Sequence, residues 1–255
     1  ELNQPGCYRD VKDTTVTAQF RVTDNTDHLF ANPDALPVCL LAWTTTPWTL
    51  PSNTALCVGP HITYIALQGT NPYSGENTIY ILAESRAATY FKTSDDDKLH
   101  FLARFSGKEL EGLHYQQLMP WIDPVAPAPD GTIEGRSADA FRVIPGDYVT
   151  TEDGTGIVHI APTFGADDAK VAREAGIPSL FVIDRNGDTR PMVDFTGRYF
   201  VREDMDPGFA QRFVHEEYWA HSGRYVKNAY APRYNIQGVY DAKAAQKDPD
   251  LNVAL

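Results

Sequence analysis

Nine short apolar runs, each of strand length and each closed by turn chemistry, constrain this 255-residue chain more than any other feature. They are the alternating segment 16–22, with Val16, Ala18, Phe20 and Val22 in phase, followed by VCLLAW, ALCV, TYIAL, IYILA, HFLARF, FRVI, GIVHIA and LFVI. Such runs bury one or both faces of a sheet. Helical signals are fewer: ESRAATYF, GADDAKVAREAG with Gly176 and Pro178 as stops, and DPGFAQRFVHEEYWAHSG opening on Asp206-Pro207. The regular strand–helix–strand rhythm of a doubly wound sheet is missing. The expected fold is therefore α/β with a β-barrel at its centre, built of mostly antiparallel strands with peripheral helices. Asn186-Gly187 is a hairpin signal. The Pro-rich stretch 119–138 reads as an excursion rather than a boundary, because strand patterns resume on both sides. Residues 1–255 are thus expected to form a single domain, and 42% hydrophobic residues suffice for its core.

Several function classes lose their basis here. A net charge of −12 does not suit a protein that binds by neutralising many phosphates, so any nucleic acid is expected to be gripped mainly elsewhere. Cys7, Cys39 and Cys57 are odd in number and far apart, which predicts neither a disulfide framework nor a zinc knuckle and fits a reducing cytoplasm. The seven histidines include no H-E-x-x-H, and His215 and His221 fall on different faces of a helical pattern, so no metal is expected. No apolar run approaches the eighteen or so residues of a membrane helix, and no membrane partner is expected. The chain opens on Glu1 in a polar segment and stops at NVAL, which reads as a piece of a larger protein.

Two segments set polar residues into strand ends. In W-T-T-T-P-W-T-L-P-S-N, residues 43–53, Pro47 removes a backbone donor and leaves Thr44, Thr45 and Thr46 at an unpaired strand end between Trp43 and Trp48. Threonine is also simply a good strand former. In G-T-G-I-V-H-I-A-P-T-F-G-A-D-D, residues 154–168, Ile157 and His159 share one strand face, and Pro162 ends the strand. Asp167 and Asp168 precede the helical pattern, where one serves as a cap and the other is surplus. A carboxylate facing a histidine at such a corner suits a substrate ammonium. There is no G-x-S-x-G elbow, no Walker A loop and no dinucleotide G-x-G-x-x-G.

Together the two segments resemble the editing insertion of class I aminoacyl-tRNA synthetases for branched aliphatic amino acids, and within that group the isoleucyl type. The valyl and leucyl types carry T-T-R-P-E or T-T-R-P-D, whereas this chain has Thr46-Pro47-Trp48. The valyl type also tends to carry lysine in place of His159. Many bacterial members read G-H-G after the Ala-Pro pair, where this chain has Thr163-Phe164-Gly165, as in the eukaryote-type branch. The resemblance implies a domain inserted in a larger synthetase, with chain ends near each other, that hydrolyses valine wrongly esterified to isoleucine tRNA. It implies that Thr44, Thr45 and Thr46 line the pocket and place the attacking water, that Trp43 and Trp48 shape it, and that Asn53 closes the motif. His159 would exclude the cognate isoleucine side chain, and Asp168 would act in catalysis by binding the α-ammonium. No cofactor is implied, since ATP serves only a catalytic domain whose H-I-G-H and K-M-S-K-S signatures do not occur here. The implied partners are the 3′ end of tRNA(Ile) carrying valine and the rest of the synthetase chain, with the domain itself a monomer.

Two other readings compete. A valyl-type domain would clear threonine, and comparison of valyl with threonyl esters separates it. An inert β-barrel that binds RNA or protein would need a basic, aromatic-studded face, which this acidic sequence does not announce.

Overall fold

A computed structural model describes residues 14–91, 99–127, 133–228, 231–236 and 239–240. The strands are β1 (Val16–Arg21), β2 (Val38–Thr44), β3 (Ala55–Val58), β4 (Thr63–Thr70), β5 (Asn77–Ala83), β6 (His100–Ser106), β7 (Val125–Pro127), β8 (Ile133–Arg136), β9 (Arg142–Pro145), β10 (Ile157–Ile160), β11 (Val182–Ile183), β12 (Thr189–Arg190), β13 (Asn235–Ile236) and β14 (Val239–Tyr240). The helices are α1 (Ala87–Tyr90), α2 (Gly107–Leu110), α3 (Ala166–Glu174), α4 (Pro207–Phe213) and α5 (Glu216–Trp219). A five-stranded sheet has the order β1-β2-β5-β4-β6, and a three-stranded sheet the order β10-β3-β9. Pairing is antiparallel except for β2 with β5 and β3 with β9.

Side-chain alternation turns these sheets into layers. Val38, Leu40 and Ala42 of β2 enter the main core with Leu56, Val58, Ile79, Ile81, Val143 and Ile157, between the two sheets. Cys39 and Leu41 point the other way and are covered, with Leu82 and Tyr80, by Ala87, Tyr90 and Phe91 in and after α1. On the second sheet, Ala55, Cys57 and Ile160 turn outward beneath Ala172 of α3. Each fully buried aliphatic side chain here contributes about 1.5 to 3 kcal/mol. A second cluster around Trp121, Tyr199, Phe209 and Tyr218 forms a lobe beside the sheets, and Trp48 and Phe141 pack on its edge.

The two sheets meet at one corner, where Ala83 N–H donates to the Thr155 carbonyl at 2.8 Å. Among the described residues the hydrogen-bonded strands form no closed ring. The helical expectation for 206–223 needs correction: it breaks between α4 and α5, where Val214 bridges to Ile122 and His215 N–H donates to the Trp121 carbonyl. Long-range pairing there overrides helical periodicity. Of LFVI only Val182 and Ile183 pair, and their hairpin to β12 closes over five residues, with Gly187 at φ +84°. Residues 128–132 of the Pro-rich stretch, Cys7 and both chain ends lie outside the described residues. No helix among the described residues is long and apolar enough to cross a membrane.

Candidate functional site

The site forms where β2 and β10 run out. Pro47 opens a six-residue 3-10 segment, Pro47–Ser52, whose three-residue repeat brings Thr49 back over Thr46. Thr46 N–H donates to Thr44 Oγ1 at 3.0 Å, and the two hydroxyls lie 3.2 Å apart. Thr46 Oγ1 is 3.4 Å from Thr49 Oγ1, which donates to the Thr46 carbonyl at 2.8 Å and meets His159 Nε2 at 3.1 Å. Three hydroxyls and an imidazole thus form one hydrogen-bonded wall.

Hydrogen counting fixes the tautomer of that imidazole. The single Thr49 hydroxyl hydrogen is directed at the Thr46 carbonyl, so Nε2 must supply the hydrogen between itself and Thr49. Nδ1 is then an acceptor, buried and without a partner among the described residues. The opposite tautomer would leave an N–H donor orphaned there, which costs more. Burial pushes the His159 pKa down to about 4, so the ring is neutral near pH 7.

Asp168 stands opposite. Both acidic residues lie within the first turn of α3 rather than before it, and neither side chain caps the helix, whose N-cap is Gly165. Asp168 Oδ2 instead accepts from Ala161 N–H at 2.9 Å, across the turn that leaves β10. Burial holds its pKa above the usual carboxylate value against the lowering effect of the Ala161 N–H, and Asp167 adds to the rise. Such a group gains from a cation brought beside it. Burial also pushes up the Cys57 thiol and the Tyr148 hydroxyl, which lie against each other near Asp168.

Between these walls lies a cavity of about 560 Å³, within the size range of small-molecule sites. Trp43, Thr44, Thr45, Thr46, Trp48, His159 and Asp168, all singled out in the sequence, are brought together in its lining. Asn53 is not. It is buried behind the wall, donating to the Ala55 carbonyl at 2.8 Å and accepting from Tyr115 Oη–H at 2.7 Å, so it holds the turn after Ser52 in place. Thr49, Tyr148, Thr150 and Asp153 are among the further lining residues, outside those expected. Thr49 had a signal in its spacing from Thr46 after Pro47; the others reach the cavity only through tertiary folding.

The Gly-rich floor is held by three contacts. Tyr64 Oη–H donates to the Gly156 carbonyl at 2.5 Å, and Arg86 donates to the Gly154 and Glu152 carbonyls at 2.7 and 3.2 Å. Gly154 lies against the Trp43 ring, 3.1 Å from where a Cβ would sit. Trp48 reaches out of the cavity to the second lobe, and Lys227 Nζ stands 4.4 Å above its ring. Among the described residues no group of three or more His, Cys, Asp and Glu side chains could hold a metal.

No family model matches the chain. Isoleucine–tRNA ligase of Bacteroides thetaiotaomicron is 52% identical over 271 aligned positions, covering all of this chain and 23% of that protein. The ligase of Porphyromonas gingivalis is 48% identical, covering all of this chain and 22% of that protein, and the ligase of Thermoplasma acidophilum is 38% identical over 77% of this chain. The chain therefore spans less than a quarter of the length of these curated relatives. Among solved structures, the cytosolic leucyl-tRNA synthetase editing domain of P. falciparum matches with a TM-score of 0.49 at 12% identity, covering 69% of this chain and 76% of that one. That of P. knowlesi matches with a TM-score of 0.46 at 16% identity, covering 67% and 70%.

Proposed function

Because the chain belongs to the isoleucine–tRNA ligase family, matching about a fifth of the length of its members, we propose that it is their proofreading segment and hydrolyses valine misesterified to isoleucine tRNA. One observation carries this reading: a neutral hydroxyl–imidazole wall and the half-buried Asp168 carboxylate face one cavity. The carboxylate reads what all amino acids share, and the wall reads what differs. Asp168 holds the α-ammonium, Thr44, Thr45 and Thr46 orient the attacking water, and Trp43 and Trp48 bound the pocket. His159, buried and fixed by Thr49, limits side-chain size.

No side chain here has the character of a neutral-pH general base. A histidine whose pKa is about 4 takes up protons poorly at pH 7, and Asp168 is occupied by the ammonium. A hydroxyl of the terminal ribose is left to assist the water. Such a second site has a physical reason, since a synthetic pocket rejects a side chain short of one methylene by only about 1 to 3 kcal/mol, a limit known from isoleucine and valine themselves.

The reading includes a single domain inserted in the ligase, monomeric and cytoplasmic. Its two sheets would be the walls of a barrel whose seam includes the Ala83–Thr155 bond. It calls for no cofactor, ATP being used elsewhere in the ligase.

Asp168→Asn tests the ammonium site. We expect KM for the valyl ester to rise roughly tenfold or more in the variant, because a charge-assisted bond is lost. In the unaltered chain KM should also climb as pH falls through the raised Asp168 pKa, since only the carboxylate holds the cation, and this climb should be absent in Asp168→Asn. An unchanged KM in the variant would remove Asp168 from substrate binding.

A further inference from the structure

Resting on the reading above, we infer that the ring of Tyr148 is the platform on which the terminal adenine of the tRNA stacks, and so positions the strand end. An esterified strand end brings three chemically distinct parts to the cavity: an ammonium, the ester on its sugar, and a flat purine. Asp168 suits the ammonium and the threonine wall the ester, and neither has a flat apolar face for the purine. A base is held best by an aromatic face that is open and kept still. Four aromatic residues line the cavity: Trp43, Trp48, Tyr148 and Phe164. Trp43 is covered by Gly154, 3.1 Å from where a Cβ would sit, and Trp48 carries the Lys227 ammonium 4.4 Å above its ring. Phe164 is partly buried, and Tyr148 alone of the four is exposed, at 50%.

The exposure of Tyr148 is that of a fixed ring. Its hydroxyl end lies against the sulfur of Cys57, which is fully buried. Gly146 makes room for that contact, because a Cβ there would collide with Cys57 Sγ and lie 2.7 Å from Tyr148 Cε1. Held at its hydroxyl and at its backbone, the ring keeps its plane, so little freedom is lost when a base settles on it. Asp168 lies near enough for its charge to act on the Tyr148 hydroxyl, and both residues line one cavity. The ribose joins the base to the ester, so base and ammonium must be received on neighbouring parts of one site, as these two residues are placed. Stacking also needs no positive charge, which suits a chain of net charge −12.

The test uses a valyl amide of 3′-amino-3′-deoxyadenosine, which cannot be hydrolysed as an ester, beside the same amide on a sugar whose base is replaced by hydrogen. Binding is measured by calorimetry on this chain and on the full-length ligase that carries it. The adenine should tighten binding roughly tenfold or more, as one base–aromatic stack does. Tyr148→Leu should abolish that gain while leaving the baseless compound bound as before. Tyr148→Phe, which keeps the ring, should retain most of the gain, and so should Tyr73→Leu, which removes an exposed ring outside the cavity lining. An undiminished adenine gain in Tyr148→Leu, no gain in the unaltered protein, or loss of the gain in Tyr148→Phe or Tyr73→Leu would each overturn the inference. An equal weakening of both compounds in Tyr148→Leu would overturn it too, since the ring would then serve the fold or the ammonium. If the adenosine compound fails to bind the unaltered protein, or binds equally to Asp168→Asn, the reading of the pocket itself has failed and the inference falls with it.

Discussion

Thr49 illustrates how a single hydroxyl can order a cavity wall. It accepts the His159 Nε2 hydrogen and donates to the Thr46 carbonyl, so Thr49→Val would orphan a buried N–H. We expect that variant to lose about 1 to 3 kcal/mol in chemical denaturation and Thr49→Ser to recover most of it. Equal stability of the valine variant would show that the bond does not hold the ring. The ring also makes a pH prediction. Its folded pKa of about 4 lies below the ordinary 6.5, so as pH falls the unfolded state takes up the proton first. The stability present above 6.5 should decline between 6.5 and about 4, by up to about 3 kcal/mol from this group alone. Subtracting the profile of His159→Gln isolates the contribution, and a flat difference would contradict it. Thr44, Thr46 and His159 could be singled out in the sequence because they precede prolines that end strands, and Asp168 because it opens the helical pattern that follows. Asn53 could not be placed correctly: a motif gives its neighbours, and only the fold gives Tyr115, which takes up its amide oxygen.

The strands were legible because apolar alternation and turn residues agree, as in VCLLAW and GIVHIA, whose two faces feed different cores. Helices that depend on distant partners were not, and the break at Val214 arises from its bridge to Ile122. The loop before β10 belongs to the same scale. Gly156 has φ +77°, and a Cβ there would lie 2.5 Å from the Ala83 side chain at the corner joining the sheets. Gly156→Ala should therefore combine backbone strain with a clash, costing about 1 to 3 kcal/mol and pushing β10, with His159, out of register with the threonine wall. Thermal melting together with the valyl to isoleucyl hydrolysis ratio would check it. A variant as stable and as selective as the original would mean that the corner does not position the site.

At the scale of the whole molecule, two facing sheets present one polar cavity at their joined corner, and a second lobe supplies its rim through Trp48 and Lys227. The net charge of −12 suits the proposed role, in which the chain receives only a strand end and neutralises few phosphates itself. The most direct measurement is deacylation of valyl-tRNA(Ile) and isoleucyl-tRNA(Ile) by the full-length ligase carrying this chain, beside the same protein with Asp168→Ala. The valyl ester should be lost roughly ten- to a hundredfold faster than the isoleucyl ester, and that preference should vanish in the variant. Equal rates for the two esters, or a valyl preference that survives Asp168→Ala, would contradict the assignment of this cavity as the proofreading site.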